Sequence, residues 1–235
     1  MNLLAFDTAL GACSTVVWQE GSVRARRSQQ RKRGHAEALM PMIEAVMAEC
    51  ALDFAALDRI AVTVGPGTFT GIRIGLAAAR GLGLAVGVPV LGLTTLESVA
   101  AGARAEVRED ESLLVALDAR RGEVYCQAFD AKLRALGEPG AFAPAAAAAR
   151  APRGRLLVLG SGADLLRGPL AALGPGYRQV PALNPLPDAA DVAWLAARRI
   201  AEAGPLRDDP PGALYLRSPG ARAASGDYPP APKSG

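Results

Sequence analysis

The sequence predicts an α/β protein of two similar lobes, each a small sheet covered by helices. Three observations carry that prediction. Short apolar runs alternate with segments of helical period. A strand–acid–turn–strand unit opens the chain and recurs about halfway along it. The chain has 235 residues, 50% apolar and 21% charged, which fits one large globular domain or two small ones. Aromatics make up only 5% and alanine is abundant, so the core is expected to be aliphatic, with helices close to the sheet.

Leu3 to Phe6 is an apolar run that stops at Asp7, Thr8 and Gly11, a strand entering a turn. Ala12 to Trp18 and Ser22 to Arg27 continue it as an antiparallel meander. His35 to Cys50 is helical, because Leu39, Met42, Ile43, Val46, Met47 and Cys50 share one face. Pro41 should mark or kink its first turns. Arg59 to Val64 is a strand, Gly65 to Gly71 a loop, and Ile72 to Leu84 a helix of small residues. Val88 to Gly92 is a strand and Thr94 to Gly102 a short helix. The polar segment Ala103 to Glu111 is expected to link the halves. Leu113 to Leu117 is a strand ending at Asp118, and Arg120, Arg121 and Gly122 turn it into the alternating strand Glu123 to Phe129. Pro139 to Pro152, rich in Ala and Pro, is expected to be a surface loop. Leu156 to Leu159 is a strand, followed by Gly160-Ser161-Gly162 and a helix to Leu173. Ala189 to Ala203 is an amphipathic helix with Val192, Leu195, Ala196 and Ile200 inward, and Ala213 to Arg217 a last short strand. The Pro-, Gly-, Ser- and Ala-rich tail from Ser218 is expected to be disordered.

The repeat sets the architecture. Leu3-Leu4-Ala5-Phe6-Asp7, a turn and Cys13 to Trp18 are matched by Leu114-Val115-Ala116-Leu117-Asp118, a turn and Glu123 to Phe129. A duplicated β-β-(β)-α-β-α unit is the plan of the actin-like fold (ASKHA, ribonuclease H-like, in two lobes), whose hairpins face each other across a cleft. The expected division is an N-terminal lobe over residues 1–105, joined by a returning helix over 188–203. A C-terminal lobe covers 112–187, and the tail 218–235 lies outside both.

Composition excludes several chemistries. His35 is the only histidine, so a multi-histidine metal site is impossible. Cys13, Cys50 and Cys126 are far apart and odd in number, which speaks against zinc pairs and a disulfide framework and for a reducing cytoplasm. The longest uncharged apolar stretch, Gly81 to Leu96, falls short of the ~20 residues a membrane span needs. Asp7 interrupts the N-terminal apolar run, so no signal peptide is expected.

The net charge is +3, and the basic residues cluster. Arg24, Arg26, Arg27, Arg31, Lys32 and Arg33 fall together with no acid among them. They are either a solvated hairpin arm or a contact for tRNA or another polyanion, made to phosphate because no aromatics lie near. Gly65-Pro66-Gly67-Thr68-Phe69-Thr70-Gly71 sits between a strand and a helix, where free N–H groups attract anions. It is equally a tight turn with Thr68 or Thr70 as helix cap. It is not a Walker A loop, since no lysine lies between Lys32 and Lys132. Gly160-Ser161-Gly162 is a weaker candidate of the same kind. The candidate nucleotide or anion cleft is therefore Asp7, Thr8, Gly65, Gly67, Thr68, Gly71, Asp118, Gly160 and Gly162. Asp7 and Asp118 are placed to hold Mg²⁺ through water, or to cap turns. Arg120 and Arg121 stand where a phosphate loop would carry small residues, so they are expected to fill the cleft. His35 reads as a helix-start residue, and Cys13 as core.

These motifs resemble the TsaB family. The resemblance rests on Leu4-Ala5-Phe6-Asp7-Thr8, Cys13-Ser14 and His35 with Leu39-Met40-Pro41-Met42-Ile43. It rests further on Gly65 to Gly75, Pro89 to Leu96, Leu117 to Tyr125 and Tyr215-Leu216-Arg217. It covers about residues 1 to 217. It implies a non-catalytic, cytoplasmic subunit of the complex that forms threonylcarbamoyladenosine (t6A) beside the anticodon of tRNAs reading ANN codons. The implied partners are a TsaD-type paralogue in a heterodimer, a TsaE-type ATPase and tRNA through the complex, with a homodimer when the chain is alone. No catalytic residue, no metal and no tightly bound cofactor are implied; a nucleotide, ADP or ATP, is allowed at the complex interface. TsaD carries an HxxxH metal motif where this chain has Thr94-Thr95-Leu96-Glu97-Ser98-Val99. Leu39, Met42, Ile43, Met47, Ile72, Leu76 and Ala79 are the implied interface, or core. The competing expectations are a stand-alone actin-like ATPase or sugar kinase, and a tRNA-binding module.

Overall fold

The computed structural model describes residues 1–174, 176–203 and 210–217. The first half forms β1 (Asn2–Asp7), β2 (Ala12–Gln19), β3 (Ser22–Gln30), α1 (His35–Glu49), β4 (Arg59–Thr63), α2 (Phe69–Val86), β5 (Val90–Leu93) and α3 (Thr95–Gly102). The second forms β6 (Glu111–Arg120), β7 (Glu123–Phe129), β8 (Gly140–Phe142), α4 (Pro144–Ala148), β9 (Arg155–Leu159), α5 (Arg167–Ala172), β10 (Tyr177–Arg178) and α6 (Ala189–Ala203).

Each half builds one five-stranded sheet. The first runs β3-β2-β1-β4-β5 and the second β8-β7-β6-β9-β10, so both place their strands in the sequence third, second, first, fourth, fifth. In both, the hairpin strands pair antiparallel and the later strands parallel. Asp7 and Asp118 hold equivalent places near the ends of the central strands β1 and β6. This is the duplicated actin-like plan.

Alternation along each strand gives each sheet two apolar faces. On the first sheet, Leu4, Phe6, Cys13 and Val17 pack under α1 and α2. Leu3, Ala5, Val16 and Ala61 pack under α6, which reaches back from the second half with Ala189, Val192, Ala193 and Ala196. The second sheet buries Leu114, Ala116, Val124 and Cys126 under α4 and α5. Its other face, Leu113, Val115, Leu117 and Leu157, packs on Leu96, Val99 and Ala100 of α3. The halves therefore exchange helices. Glu97 of α3 pairs with Arg199 of α6, and Arg104, just past the end of α3, pairs with Asp191 of α6.

Two expectations are corrected here. Pro139 to Pro152 is not a loop: it supplies β8 and α4, whose Ala147 and Ala148 are fully buried. Its run of alanines has no polar face, so periodicity could not reveal it. Ala213 to Arg217 makes no strand; it is an extended strap across the lobes. α2 is apolar and long enough, by length and composition, to cross a membrane, with a mean hydropathy of 1.3. It carries Arg73 and Arg80, and packs Ile72, Leu76 and Ala79 into the first core. The expected disordered tail 218–235 lies outside the described residues.

Candidate functional site

The two sheets open onto a cleft of about 770 Å³ between the lobes. One wall is the turn after β1, the connection Arg31–Gly34, the start of α1 and the start of α2. The other is the β6–β7 hairpin with Asp118, Arg120 and Tyr125, and Ser161 after β9. The helix starts are positioned by their loops. Thr68 caps α2, its side-chain oxygen accepting from Gly71 N–H at 3.1 Å. α1 begins after Gly34 in the left-handed region (φ 79), with no side-chain cap. The His35 ring Nε2 lies 3.0 Å from the Leu10 carbonyl, which holds this buried histidine at the helix start.

The two acids do not face each other. Asp118 lines the cleft, with its backbone N–H donating to Ser161 Oγ at 3.1 Å and its carboxylate 3.3 Å from the Arg120 guanidinium. Asp7 is fully buried and outside the cleft lining. Its Oδ1 accepts from Thr63 Oγ1 and Ala9 N–H, and Oδ2 has no partner among the described residues. Burial pushes its carboxyl up to about 7, against the pull of those two donors.

The glycines do not form an empty cradle. A Cβ on Gly67 would lie 2.4 Å from the Ala9 carbonyl oxygen, and one on Gly71 2.1 Å from that of Thr8. Thr8 is buried, and its Oγ1 donates to the Gly71 carbonyl at 2.7 Å. In the second lobe, a Cβ on Gly160 would lie 2.3 Å from the Ala116 carbonyl oxygen, and one on Gly162 2.9 Å from Leu117 C and Asp118 N. Gly65 (φ 110) packs against the Leu214 carbonyl of the strap. In each lobe the glycines let the loop after the fourth strand seat on the end of the first strand or the turn that follows it. Magnesium–nucleotide held between Asp7 and Asp118 does not fit this arrangement: Asp7 is sealed, and the glycine surfaces are covered by the chain's own carbonyls. Arg120 does not plug the cleft either. At the hairpin tip (φ 62) its side chain is 86% exposed, and Arg121 beside it points to solvent outside the lining.

The basic run divides. Arg24 pairs with Glu20, Arg27 with Glu49, and Arg26 bidentately with the buried Asp188 just before α6. Those three are engaged within the chain. Arg31, Lys32 and Arg33 line the cleft. Cys13 is buried, and burial lifts its thiol to about 11, as a core residue requires. Among the described residues no group of three or more His, Cys, Asp or Glu side chains comes together as a metal site.

The seven residues offered as an interface are core. Leu39, Met42, Ile43, Met47, Ile72, Leu76 and Ala79 are each at most 5% exposed and form one cluster under the first sheet. A charge at Ile72 or Met47 would unfold the lobe rather than report on a partner. The free apolar surface of the same helices is Met40 on α1 with Phe69 and Leu84 on α2, which is 87% exposed. Sequence reasoning also missed a surface cluster. Arg73 lies 3.6 Å over the Phe69 ring, which stacks on Tyr215 of the strap at 5.7 Å. The helical spacing of Phe69 and Arg73 was a signal; Tyr215 left none.

The strap closes the back of this region. Leu214 N–H donates to the Val64 carbonyl at 2.7 Å, Pro211 covers Gly92, and Arg80 donates to the Pro211 carbonyl. Arg217 then reaches the other lobe, pairing with Glu123 and donating to the Ala119 carbonyl.

Comparison with known proteins gives a consistent picture. The family model for TsaD, tRNA N6-adenosine threonylcarbamoyltransferase, matches residues 24–154. The TsaB protein of Escherichia coli, described as a tRNA threonylcarbamoyladenosine biosynthesis protein, is 38% identical over 125 residues, 53% of each chain. The chain thus spans about half the length of the curated TsaB relatives it matches. A solved Pseudomonas aeruginosa protein with similarity to the peptidase YeaZ superposes with a TM-score of 0.78 at 29% identity, covering 92% of this chain and 99% of that one. The activator of 2-hydroxyisocaproyl-CoA dehydratase from Clostridium difficile shares the fold alone: TM-score 0.51, 11% identity, 88% of this chain and 100% of that one.

Proposed function

Because the chain belongs to the TsaB family, within the wider group matched by the TsaD family model, we propose that it serves t6A formation in tRNA as a non-catalytic subunit. The observation that carries the non-catalytic role is the start of α3. Thr94 and Glu97 form a capping box, each side chain bonding the other's backbone N–H, with a further bond between the side chains at 2.9 Å. These side chains stabilise a helix end in the segment where the catalytic paralogue is expected to hold metal. The rival ATPase reading needs Asp7 in the cleft, and its burial speaks against that.

In this reading the chain docks on a TsaD-type paralogue through the exposed apolar faces of α1 and α2, and pairs with itself by the same faces when alone. A TsaE-type ATPase joins the assembly in the cytoplasm. The substrate is tRNA reading ANN codons. The test is a drop-out reaction. TsaD, TsaE, threonylcarbamoyl-adenylate, ATP and unmodified tRNA are incubated with and without the chain, and t6A is counted by mass spectrometry. Modification should require the chain. Leu84→Asp and Met40→Asp, on the surface, should keep the circular dichroism spectrum and lose both co-purification with TsaD and modification. Equal modification without the chain would sink the proposal.

A further inference from the structure

Of the six clustered cations, three have a carboxylate within 4 Å among the described residues and three do not. Arg24, Arg26 and Arg27 lie on β3 and are paired. Arg31, Lys32 and Arg33 lie on the connection that leaves the sheet after Gln30, where Arg31 N–H donates to the Gly11 carbonyl at 2.9 Å. Among the described residues no carboxylate forms an ion pair with any of these three. Arg31 instead donates to the Gly34 carbonyl, which brings its guanidinium over the start of α1. Lys32 and Arg33 are exposed.

All three unpaired cations line the interlobe cleft, and none of the paired ones does. With Arg120 opposite, four cations face the two carboxylates of Glu37 and Asp118. The uncapped first turn of α1 opens on the same space and adds its N–H groups. Such a surface attracts an anion, and Arg and Lys in a partly enclosed groove are the usual contacts for phosphate.

We propose that the mouth of this cleft takes the phosphodiester backbone of an RNA strand, with Arg31, Lys32 and Arg33 as its contacts. The choice of RNA rests on the proposed role in tRNA modification. Two observations favour a strand over a mononucleotide. The cations are spread along an exposed connection rather than gathered on one point. The glycine surfaces deeper in the cleft are already covered by the Thr8 and Ala9 carbonyls. Among the described residues Tyr125 is the one aromatic in the lining, so the contact is to backbone and carries little base preference.

The test is fluorescence anisotropy of an end-labelled unmodified tRNA transcript with the full chain, across 50–200 mM KCl. Arg31→Ala/Lys32→Ala/Arg33→Ala should weaken binding at least tenfold. It should also flatten the slope of log K against log salt by about 2. The control Arg24→Ala/Arg27→Ala should stay within twofold of the parent. Should the triple variant not fold by circular dichroism, Lys32→Gln/Arg33→Gln carries the same test with a slope change of about 1. An unchanged affinity in the cleft variants overturns the site, as does equal loss in the control or displacement of the tRNA by millimolar ATP. The drop-out reaction separates the two readings. Cleft-dependent tRNA binding by a chain that modification does not need leaves the site and removes the function. A required chain whose cleft variants bind normally does the reverse.

Discussion

Thr63 Oγ1 donates to Asp7 Oδ1 at 2.5 Å, between neighbouring parallel strands, in a place water does not reach. The hydrogen bond favours the charged carboxyl, and burial without a partner for Oδ2 disfavours it more strongly. A group whose pKa is raised from 3.8 to about 7 on folding stabilises the protein while it holds its proton. That stability is complete below pH ~4 and is lost as pH rises through about 7. Asp7→Asn should therefore raise the thermal midpoint most at pH 8, less at pH 5, and change it little at pH 3.5. The largest gain is about 4 kcal/mol. A midpoint difference between variant and parent that does not grow with pH would contradict this account.

Glu111 behaves in the opposite sense. Arg178 holds both its oxygens at 2.7 Å, and the Arg108 N–H adds a third bond, so its pKa falls to about 2. The stabilisation is present above 4.5 and disappears as pH falls toward 2. Glu111→Gln should cost about 2 kcal/mol in urea unfolding at pH 7, because charge-assisted bonds are lost and Arg178 is left without its partner. The penalty should shrink as the pH approaches 2.

Two glycines of α2 should answer alanine in opposite directions. Gly71→Ala would drive a methyl onto the Thr8 carbonyl at 2.1 Å and should cost about 3 kcal/mol or more. Gly81→Ala meets nothing within 4 Å and should stabilise the helix by about 0.5–1 kcal/mol. Denaturant midpoints of the two variants decide it.

The strap should hold the lobes together. Leu214→Pro removes the N–H that Val64 accepts, and Arg217→Ala removes the tie to Glu123. Each should speed proteolysis at the 103–111 connection several-fold, with little change in helix content. Unchanged cleavage would show that α3 and α6 suffice.

Local pattern was legible wherever one sheet face or one helix face decided it. The β1–β2 and β6–β7 hairpins and the buried face of α1 are cases. What stayed hidden depends on residues distant in sequence. The partner of Arg26 is Asp188, across most of the chain, so a uniform basic run split into charges tied by ion pairs and charges with none among the described residues. The apolar face of α1 and α2 that read as an interface is used up by the first core, and exposed Leu84 left no periodic trace. The glycines announced a close approach. Only the fold revealed that the approaching group is the chain's own carbonyl.

The position of α6 bears on synthesis. Leu3, Ala5, Val16 and Ala61 are made first, yet the helix that covers them is made after the whole second sheet. A ribosome adding about 5–20 residues per second leaves that face bare for roughly ten seconds or more. The lobe that begins the chain is thus the last to complete its core. The nascent protein has a window of stickiness that the finished one does not, and chaperone dependence should track residues 189–203 rather than the first half.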